Sequence, residues 1–507
     1  MKRSILTIAA GLMTGMLFTG LHVSAQTNAD TLADKVSAIQ EKITGFEDRL
    51  TTDEGDLSKL TKIKFSGYIQ SQYLRYENPS NYPYNTFMIR RARVKLTYEP
   101  ASGVAFTLEP DYQPNNFTLK NAYVQLNDPW LKTFSLWAGK FDRPDYEVEY
   151  SSSNLEDLER SKVITSLYPD EKAIGVKLEI APPRIPLKIQ IAGLNGNEGL
   201  TYSDAAGNVI NAPQQNGDFD KYKDLMARVT YGFKLGNFGA LNIGAHVYYG
   251  KVKANSYDVL NSDYTYNKSI SNPGNSVKRN WVGFEAQLYM DVLGGLALKG
   301  EYLVGVNGTP GYYSTTSTTS QSVSSSNDTL FVRNITTTAV SAKPAIEKNF
   351  MGYYVYLIKN IGKRHQLAVR YDYYDPDTKI SGKQIGTNKY AANTTNITDH
   401  YDYSGSANGN VIATDSRTIK TVTNSLSSGT GDVAYGTWTM AYSYYFTDNI
   451  KVQLAYSVPL NEKAGKVDDN GNGNVISKYN VNNIAGVLDY SKVFPQNTLT
   501  LRLQVKF

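Results

Sequence analysis

Apolar and polar residues alternate along most of the chain from residue 62 onward. In residues 62–76, Ile63, Phe65 and Ile69 share one face, and polar residues such as Lys64 share the other. A period of two is that of a β-strand whose two faces meet different environments. The pattern therefore predicts strands that lie between lipid and a wet interior.

About sixteen segments carry this pattern, and those at 117–127, 133–141 and 347–359 are ambiguous in phase. Lipid cannot hydrogen-bond the open edge of a sheet, so strands in a membrane must close on themselves. The sequence therefore predicts an all-β fold, a transmembrane antiparallel β-barrel of about 16 strands. The predicted segments lie near 62–76, 86–99, 103–112, 117–127, 133–141, 173–181, 186–194, 222–234, 239–253, 278–291, 294–306, 347–359, 363–375, 433–446, 448–458 and 497–507.

The predicted connections alternate in length. Tight turns such as Asn360-Ile361-Gly362 follow the even strands, whereas longer loops follow most odd strands. Short periplasmic turns and long external loops are typical of outer-membrane barrels. We therefore expect the long loops to lie outside the cell. They lie near 142–172, 195–221, 254–277, 307–346, 376–432 and 459–496, and the Ser/Thr-rich run 311–329 is predicted as a flexible part of one of them.

The first 25 residues predict a secretory signal peptide. Lys2 and Arg3 precede a mainly apolar stretch, and Val23 and Ala25 stand at the −3 and −1 positions of a cut after Ala25. We therefore expect export and a final location in the outer membrane of a Gram-negative cell.

Residues 26–60 predict a short N-terminal helix before the barrel, which is assigned to 61–507. Apolar residues recur at spacings of three and four from Leu32 to Leu50, as in the seam of a coiled coil. One interpretation is a periplasmic coiled coil that joins subunits, most simply in a homotrimer. The other is a single amphipathic helix packed under or into the barrel.

Composition narrows the function classes. Tyr supplies 39 of the aromatic residues, against 17 Phe and 4 Trp, and its polar tip suits the boundary between lipid and water. The absence of cysteine excludes disulfides and thiol chemistry. The net charge of +5 is too mild to suggest nucleic-acid binding.

The side chains that face the interior are expected to decide function, because sixteen strands leave an aqueous channel. Basic residues dominate that face, and the densest group lies between Arg91 and Lys95. They predict an outer-membrane porin for passive diffusion of small hydrophilic solutes with a preference for anions; the alternative is a general porin with little selectivity. Arg90 is predicted on the opposite face, among lipid headgroups. The candidate pore-lining residues are Arg91, Arg93, Lys95, Lys177, Arg228, Lys299, Arg370 and Arg502.

The loop at 142–172 is the third external loop by this strand count. Its candidate constriction residues are Glu156, Asp157, Glu159 and Arg160. Either the loop folds into the barrel and its acids oppose the basic residues, or it is a solvated surface loop.

Several stretches resemble a known family. They are Phe87-Met88-Ile89-Arg90-Arg91-Ala92-Arg93, Lys120-Asn121-Ala122-Tyr123-Val124, Ala138-Gly139-Lys140-Phe141-Asp142-Arg143-Pro144, Leu158-Glu159-Arg160-Ser161 and Ile174-Gly175-Val176-Lys177. With the last strand, which ends in Phe507, they resemble the phosphate-selective porin O and P family over about residues 62–180. The resemblance implies a trimeric sixteen-stranded barrel with an N-terminal coiled coil that passes small anions such as phosphate. The loops are typical of a Bacteroidetes-type source.

Catalytic and metal chemistry is not predicted. His246, His365 and His400 lie far apart, and no nucleophile with a base stands out. Asp468 begins a stretch like a calcium loop, but Tyr479 occupies the position of the required Glu. We expect no enzyme activity and no cofactor. The alternative to a porin is a structural or adhesive barrel that binds an external ligand through its long loops.

Overall fold

A computed structural model describes most of the chain from residue 62 onward and, before it, only Lys42 and Thr44, which are helical. The predicted signal peptide (1–25) and the rest of the predicted helix (26–60) lie outside the described residues. Residues 1–63 and 64–507 form two separate units. The described residues are 42, 44, 62–77, 85–113, 116–145, 148–196, 201–203, 209–211, 218, 220–254, 258–262, 266–269, 276–292, 294–326, 329–343, 345–381, 388–406, 411–427, 432–462, 465–467, 473–475 and 497–507.

Sixteen strands form the barrel, and each overlaps one predicted segment. They are β1 (Ile63–Tyr76), β2 (Asn85–Ala101), β3 (Val104–Gln113), β4 (Asn116–Asn127), β5 (Phe134–Asp142), β6 (Lys172–Ile180), β7 (Leu187–Leu194), β8 (Asp224–Lys234), β9 (Gly239–Lys253), β10 (Ser276–Met290), β11 (Leu296–Thr309), β12 (Ala345–Ile361), β13 (His365–Asp375), β14 (Tyr435–Thr447), β15 (Ile450–Pro459) and β16 (Thr498–Lys506).

The sheet closes on itself. Each strand pairs with its neighbours in the chain, and β1 pairs antiparallel with β16, with Tyr68 opposite Lys506 and Tyr76 opposite Thr498. The sixteen-stranded antiparallel barrel is therefore confirmed. Among the described residues, no helix is both long and apolar enough to span a membrane.

The two faces of the strands differ as the alternation predicts. Leu501 and Leu503 on β16 point outward and are about half exposed, whereas the alternate residues Arg502 and Gln504 point inward and are buried. The same contrast recurs around the barrel, so its outer surface is an apolar band.

A β-bulge explains why the alternation of apolar and polar residues in the segment 117–127 is ambiguous in phase. The pairing of β3 with β4 shifts register at Glu109 and Pro110, which face Asn121 and Leu119. A bulge adds one residue to one strand and so reverses the alternation beyond it. The exposed residues on β4 accordingly change from the odd-numbered Phe117 and Leu119 to the even-numbered Leu126.

The connections alternate between short turns at one end and longer loops at the other. The turn end includes residues 102–103, 362–364 and 448–449, and one turn holds a 3-10 helix, Gly236–Phe238. At the loop end, one further helix, α1 (Lys162–Leu167), lies in the loop between β5 and β6. Short hairpins are formed by Thr201–Ser203 with Val209–Asn211, Asp258–Asn261 with Tyr266–Ser269, and Gly465–Val467 with Gly473–Val475.

Two loops at the loop end together build a separate four-stranded sheet. The prediction of a flexible loop at 311–329 is therefore wrong. Thr is a favourable strand residue, and Thr318, Thr337, Thr398 and Thr418 stand opposite one another in register. The strands are Tyr312–Ser326, Thr329–Lys343, Asn388–Ser406 and Val411–Ser427.

Candidate functional site

The third loop, residues 143–171, folds into the barrel rather than lying over its end. Lys451 and Gln453 of β15 donate hydrogen bonds to the carbonyl oxygen of Leu155, at 3.1 and 3.3 Å. Arg502 of β16 donates to the carbonyl oxygen of Leu158. Since these donors point inward from the wall, the loop crosses the lumen.

One side of the third loop is held by apolar packing. Val163, Ile164 and Leu167 of α1 are buried in a cluster that includes Phe350 of β12. Gly352 lets α1 approach closely, because a Cβ at that position would lie 2.4 Å from Cγ2 of Val163. This side of the lumen is therefore filled by a small apolar core.

Aromatic residues extend this core. The ring of Tyr248 stacks on Trp281 with 4.0 Å between centroids, and the indole N–H of Trp281 donates to the hydroxyl of Tyr168 at 2.8 Å. Tyr168 belongs to the third loop, whereas Trp281 belongs to β10. The sequence did offer a signal for this contact, because Trp281 lies on the same face as Arg279 and Glu285, where a polar residue is expected.

A buried ion network lies beside the core. Nη1 of Arg370 lies 2.9 Å from Asp157 and 3.1 Å from Glu149, and its Nη2 lies 3.1 Å from Asp372. The hydroxyl of Tyr356 also donates to Glu149 at 2.6 Å. All four charged side chains are buried, so one guanidinium group faces three carboxyl groups away from water.

Burial shifts the pKa values of the loop's carboxyl groups in this network. Burial raises the pKa of Asp157 to about 7, although Arg370 acts in the opposite direction. Burial likewise raises the pKa of Glu149 against the effect of Arg370. Asp157 is therefore poised to take up a proton near neutral pH.

The opposite side of the loop carries an arginine site, which we define as Arg90, Arg91 and Arg502 around Glu159. Nε and Nη2 of Arg90 donate to the two carboxylate oxygens at 2.8 and 2.9 Å. Arg91 and Arg502 reach the same carboxylate at 3.4 and 2.5 Å. Three guanidinium groups from β2 and β16 thus converge on one carboxylate.

The arginine site faces water. The side chain of Glu159 is 42% exposed and that of Arg90 is 30% exposed, whereas Arg502 is buried. Burial acts to raise the pKa of Glu159, but Arg91, Arg90 and Arg502 outweigh it and hold that pKa well below its usual range. Glu159 is therefore ionised at any physiological pH.

The prediction that Arg90 lies among lipid headgroups is wrong. Ile89 is exposed on the outer face, as is Leu96, so the alternation of β2 changes phase between them. Arg90 and Arg91 are consecutive residues, yet both reach Glu159 inside the barrel. No local pattern reveals this change.

Arg93 and Arg160 are joined through Glu171. Arg93 contacts Asp111 at 3.0 Å and Glu171 at 3.1 Å, and Arg160 contacts Glu171 at 2.5 Å. Arg160 also donates to the carbonyl oxygens of Glu149 and Tyr150. Arg160 therefore fixes the shape of the loop instead of lining an opening.

The other predicted basic residues are scattered around the wall. Lys299 pairs with Glu156 at 2.5 Å, and Arg228 pairs with Glu285. Lys177 lies over the ring of Trp137 at 4.5 Å and donates to a backbone carbonyl. The structure thus brings most predicted basic residues against acids or backbone groups, and it does not align them as one open ladder.

A cavity of about 400 Å³ lies between the third loop and the turn end. Four basic side chains line it, and the alternation of the sequence places three of them, Arg93, Lys95 and Lys506, on the inner face. Lys172 was missed because it was assigned to the loop. The charged lining residues are Arg93, Lys95, Lys172, Lys506, Glu109 and Asp142.

The fold and this site define a class, sixteen-stranded antiparallel barrels with an inward-folded third loop. No family model and no curated protein matches the chain. Among solved structures, it is similar to OprB of Pseudomonas putida (8% identity, 91% of this chain and 97% of that one, TM-score 0.47). It is also similar to the outer membrane channel DcaP of Acinetobacter baumannii (11%, 88% and 97%, 0.41) and to an anion-selective porin from Comamonas acidovorans (9%, 88% and 99%, 0.39).

Those identities and TM-scores carry no information about the solute of this chain. The barrel and the third loop are established by its own strand pairing and contacts. Among the described residues, no group of three or more His, Asp or Glu side chains is arranged to hold a metal ion.

Proposed function

We propose that the protein is an outer-membrane porin that lets small hydrophilic solutes diffuse passively and prefers anions, with phosphate as one candidate. The observation that carries the proposal is the charge of the cavity below the third loop. Four basic side chains line it, against the acids Glu109 and Asp142. Basic groups on a narrow passage attract anions and repel cations.

The outer surface supports the membrane location in this proposal. Exposed apolar residues such as Leu501, Val282 and Leu357 project outward from strands all around the barrel. The pairing of β1 with β16 closes the sheet, as lipid requires. We further propose a homotrimer, as the N-terminal heptad pattern predicts, which sedimentation in detergent would test.

The proposal is tested by the reversal potential of the purified protein in a planar bilayer with a KCl gradient. We expect the sign of an anion-preferring channel. The double variant Lys95→Glu, Lys506→Glu should weaken or reverse that sign, since both residues line the cavity. The double variant Lys363→Glu, Arg364→Glu, in an exposed turn, makes the same charge change away from the cavity and serves as the control.

A second function, binding of an external ligand, is favoured by the four-stranded sheet at the loop end. Its strands have 15 to 19 residues. At about 3.3 Å per residue they extend roughly 50 Å, far more than a loop needs to join two barrel strands. Correctly folded protein that carries no current in the same bilayer would favour this function over a porin.

A further inference from the structure

Glu159 differs from the other ion-paired carboxylates of the third loop. Of the ion-paired carboxylates in the described part of the loop, its side chain is the most exposed, at 42%, compared with 20% for Asp170, 15% for Glu156 and 13% for Glu171. A carboxylate with three arginine partners is strongly held, yet this one is open to water on one side. A dissolved anion can therefore approach the site at Arg90, which is 30% exposed, whereas Arg91 and Arg502 are buried.

The arginine site is shaped for a carboxylate. The fork of Arg90 engages both oxygens of Glu159, at 2.8 and 2.9 Å, which is the bidentate geometry of an arginine–carboxylate pair. Arg502 adds a contact at 2.5 Å. A carboxylate on a small solute would offer the same two oxygens at the same charge.

The backbone at Glu159 is fixed independently of its side chain. Its N–H donates to Asp157 at 2.7 Å, and its carbonyl oxygen accepts from Arg370. Arg502 also donates to the carbonyl of the preceding Leu158. The side chain can therefore swing out of the arginine site while the loop stays in place.

We propose that Glu159 is a tethered ligand that occupies a carboxylate-binding site in the lumen, and that small organic carboxylates cross the constriction by displacing it. This inference rests on the proposed porin function and assigns the solute class of the same pore. The tethered carboxylate prevents a solute from binding too tightly to leave, because it competes for the same three arginines at a high local concentration.

Competition between Glu159 and a solute carboxylate predicts how much removal of the Glu159 charge raises the apparent affinity for the solute. If Glu159 fills the site for more than nine-tenths of the time, the apparent affinity for a solute carboxylate is reduced by about tenfold or more. Glu159→Gln keeps the size of the side chain but removes its charge. We expect acetate to reduce the chloride current of E159Q at a concentration at least about tenfold lower than for the wild-type channel.

Glu156→Gln is the matched comparison, since it removes one negative charge from the same loop, where Glu156 pairs with Lys299 instead of the arginine site. Any change in acetate block that E156Q shares with E159Q is a general electrostatic effect. The proposal requires the large change in E159Q alone. Equal changes in both variants, or none in E159Q, would overturn it.

A third variant and a second anion complete the experiment. Glu159→Asp retains the charge on a shorter side chain, so it should give acetate block between that of the wild type and E159Q, even if E159Q folds poorly. Inorganic phosphate is the second probe, and tighter block of E159Q by phosphate than by acetate would overturn the carboxylate assignment. A wild-type channel without anion preference would instead refute the proposed function.

Discussion

The two sides of the third loop are held in different ways. On the anchored side, which faces β10 to β13, Val163, Ile164 and Leu167 are buried in an apolar core, and the charges around Arg370 are sealed from water. On the other side, the arginine site is open to water, with Glu159 42% exposed.

The contacts on the two sides of the third loop differ in the free energy that they contribute to stability. Full burial of one aliphatic side chain contributes about 1.5–3 kcal/mol, whereas an exposed ion pair contributes about 0–1 kcal/mol. Packing on the anchored side thus fixes the loop. The ion pairs of the arginine site are open to water on one side, so Glu159 can exchange there with another anion.

The largest expected effect comes from the anchored side. Arg370→Met should lower the free energy of unfolding by about 3–5 kcal/mol, because it removes the guanidinium group that pairs with buried Glu149, Asp157 and Asp372. Urea titration of the folded barrel in detergent, followed by tryptophan fluorescence, measures it.

The comparison variant for Arg370 is Arg90→Gln in the arginine site. Arg90 is 30% exposed, so its loss should cost no more than about 1 kcal/mol. Similar losses for R370M and R90Q would mean that the two sides do not differ as described.

A smaller effect is expected from closer packing against α1. Gly352→Ala places a Cβ 2.4 Å from Val163, so the loop must shift, at a cost of about 1–3 kcal/mol. The third loop should also become more accessible to protease. Gly193→Ala is the control, because a Cβ there meets no atom within 4 Å. If both variants resist protease equally, α1 is not fixed by this contact.

The smallest effect concerns pH. The pKa of Asp157 is about 7 in the folded barrel, and that of an unfolded Asp is about 4. The folded state therefore binds the extra proton between these values, and stability rises as pH falls through 7. We expect the wild type to gain about 1 kcal/mol more than Asp157→Asn between pH 8 and pH 6. Parallel stability curves for the two proteins would contradict this assignment.

The barrel could be predicted from the sequence because alternation is a local property. Leu501, Arg502 and Leu503 reveal their two faces without reference to any other strand. The contacts within the arginine site could not be predicted, because Glu159 and Arg502 come together only through the path of a long loop. The local sequence also does not indicate the phase change at Arg90. By contrast, Trp281 on an otherwise polar face indicates packing inside the lumen.

Closure of the barrel between β1 and β16 has a consequence for biogenesis. Arg502 donates to Gln72, which is 430 residues away in the chain, and this contact spans the seam where the first and last strands meet. Contacts at such separation form late, since the intervening chain must be ordered first. We therefore expect the arginine site, which draws on β2 and β16, to be among the last features to form, so that an unfinished barrel lacks it.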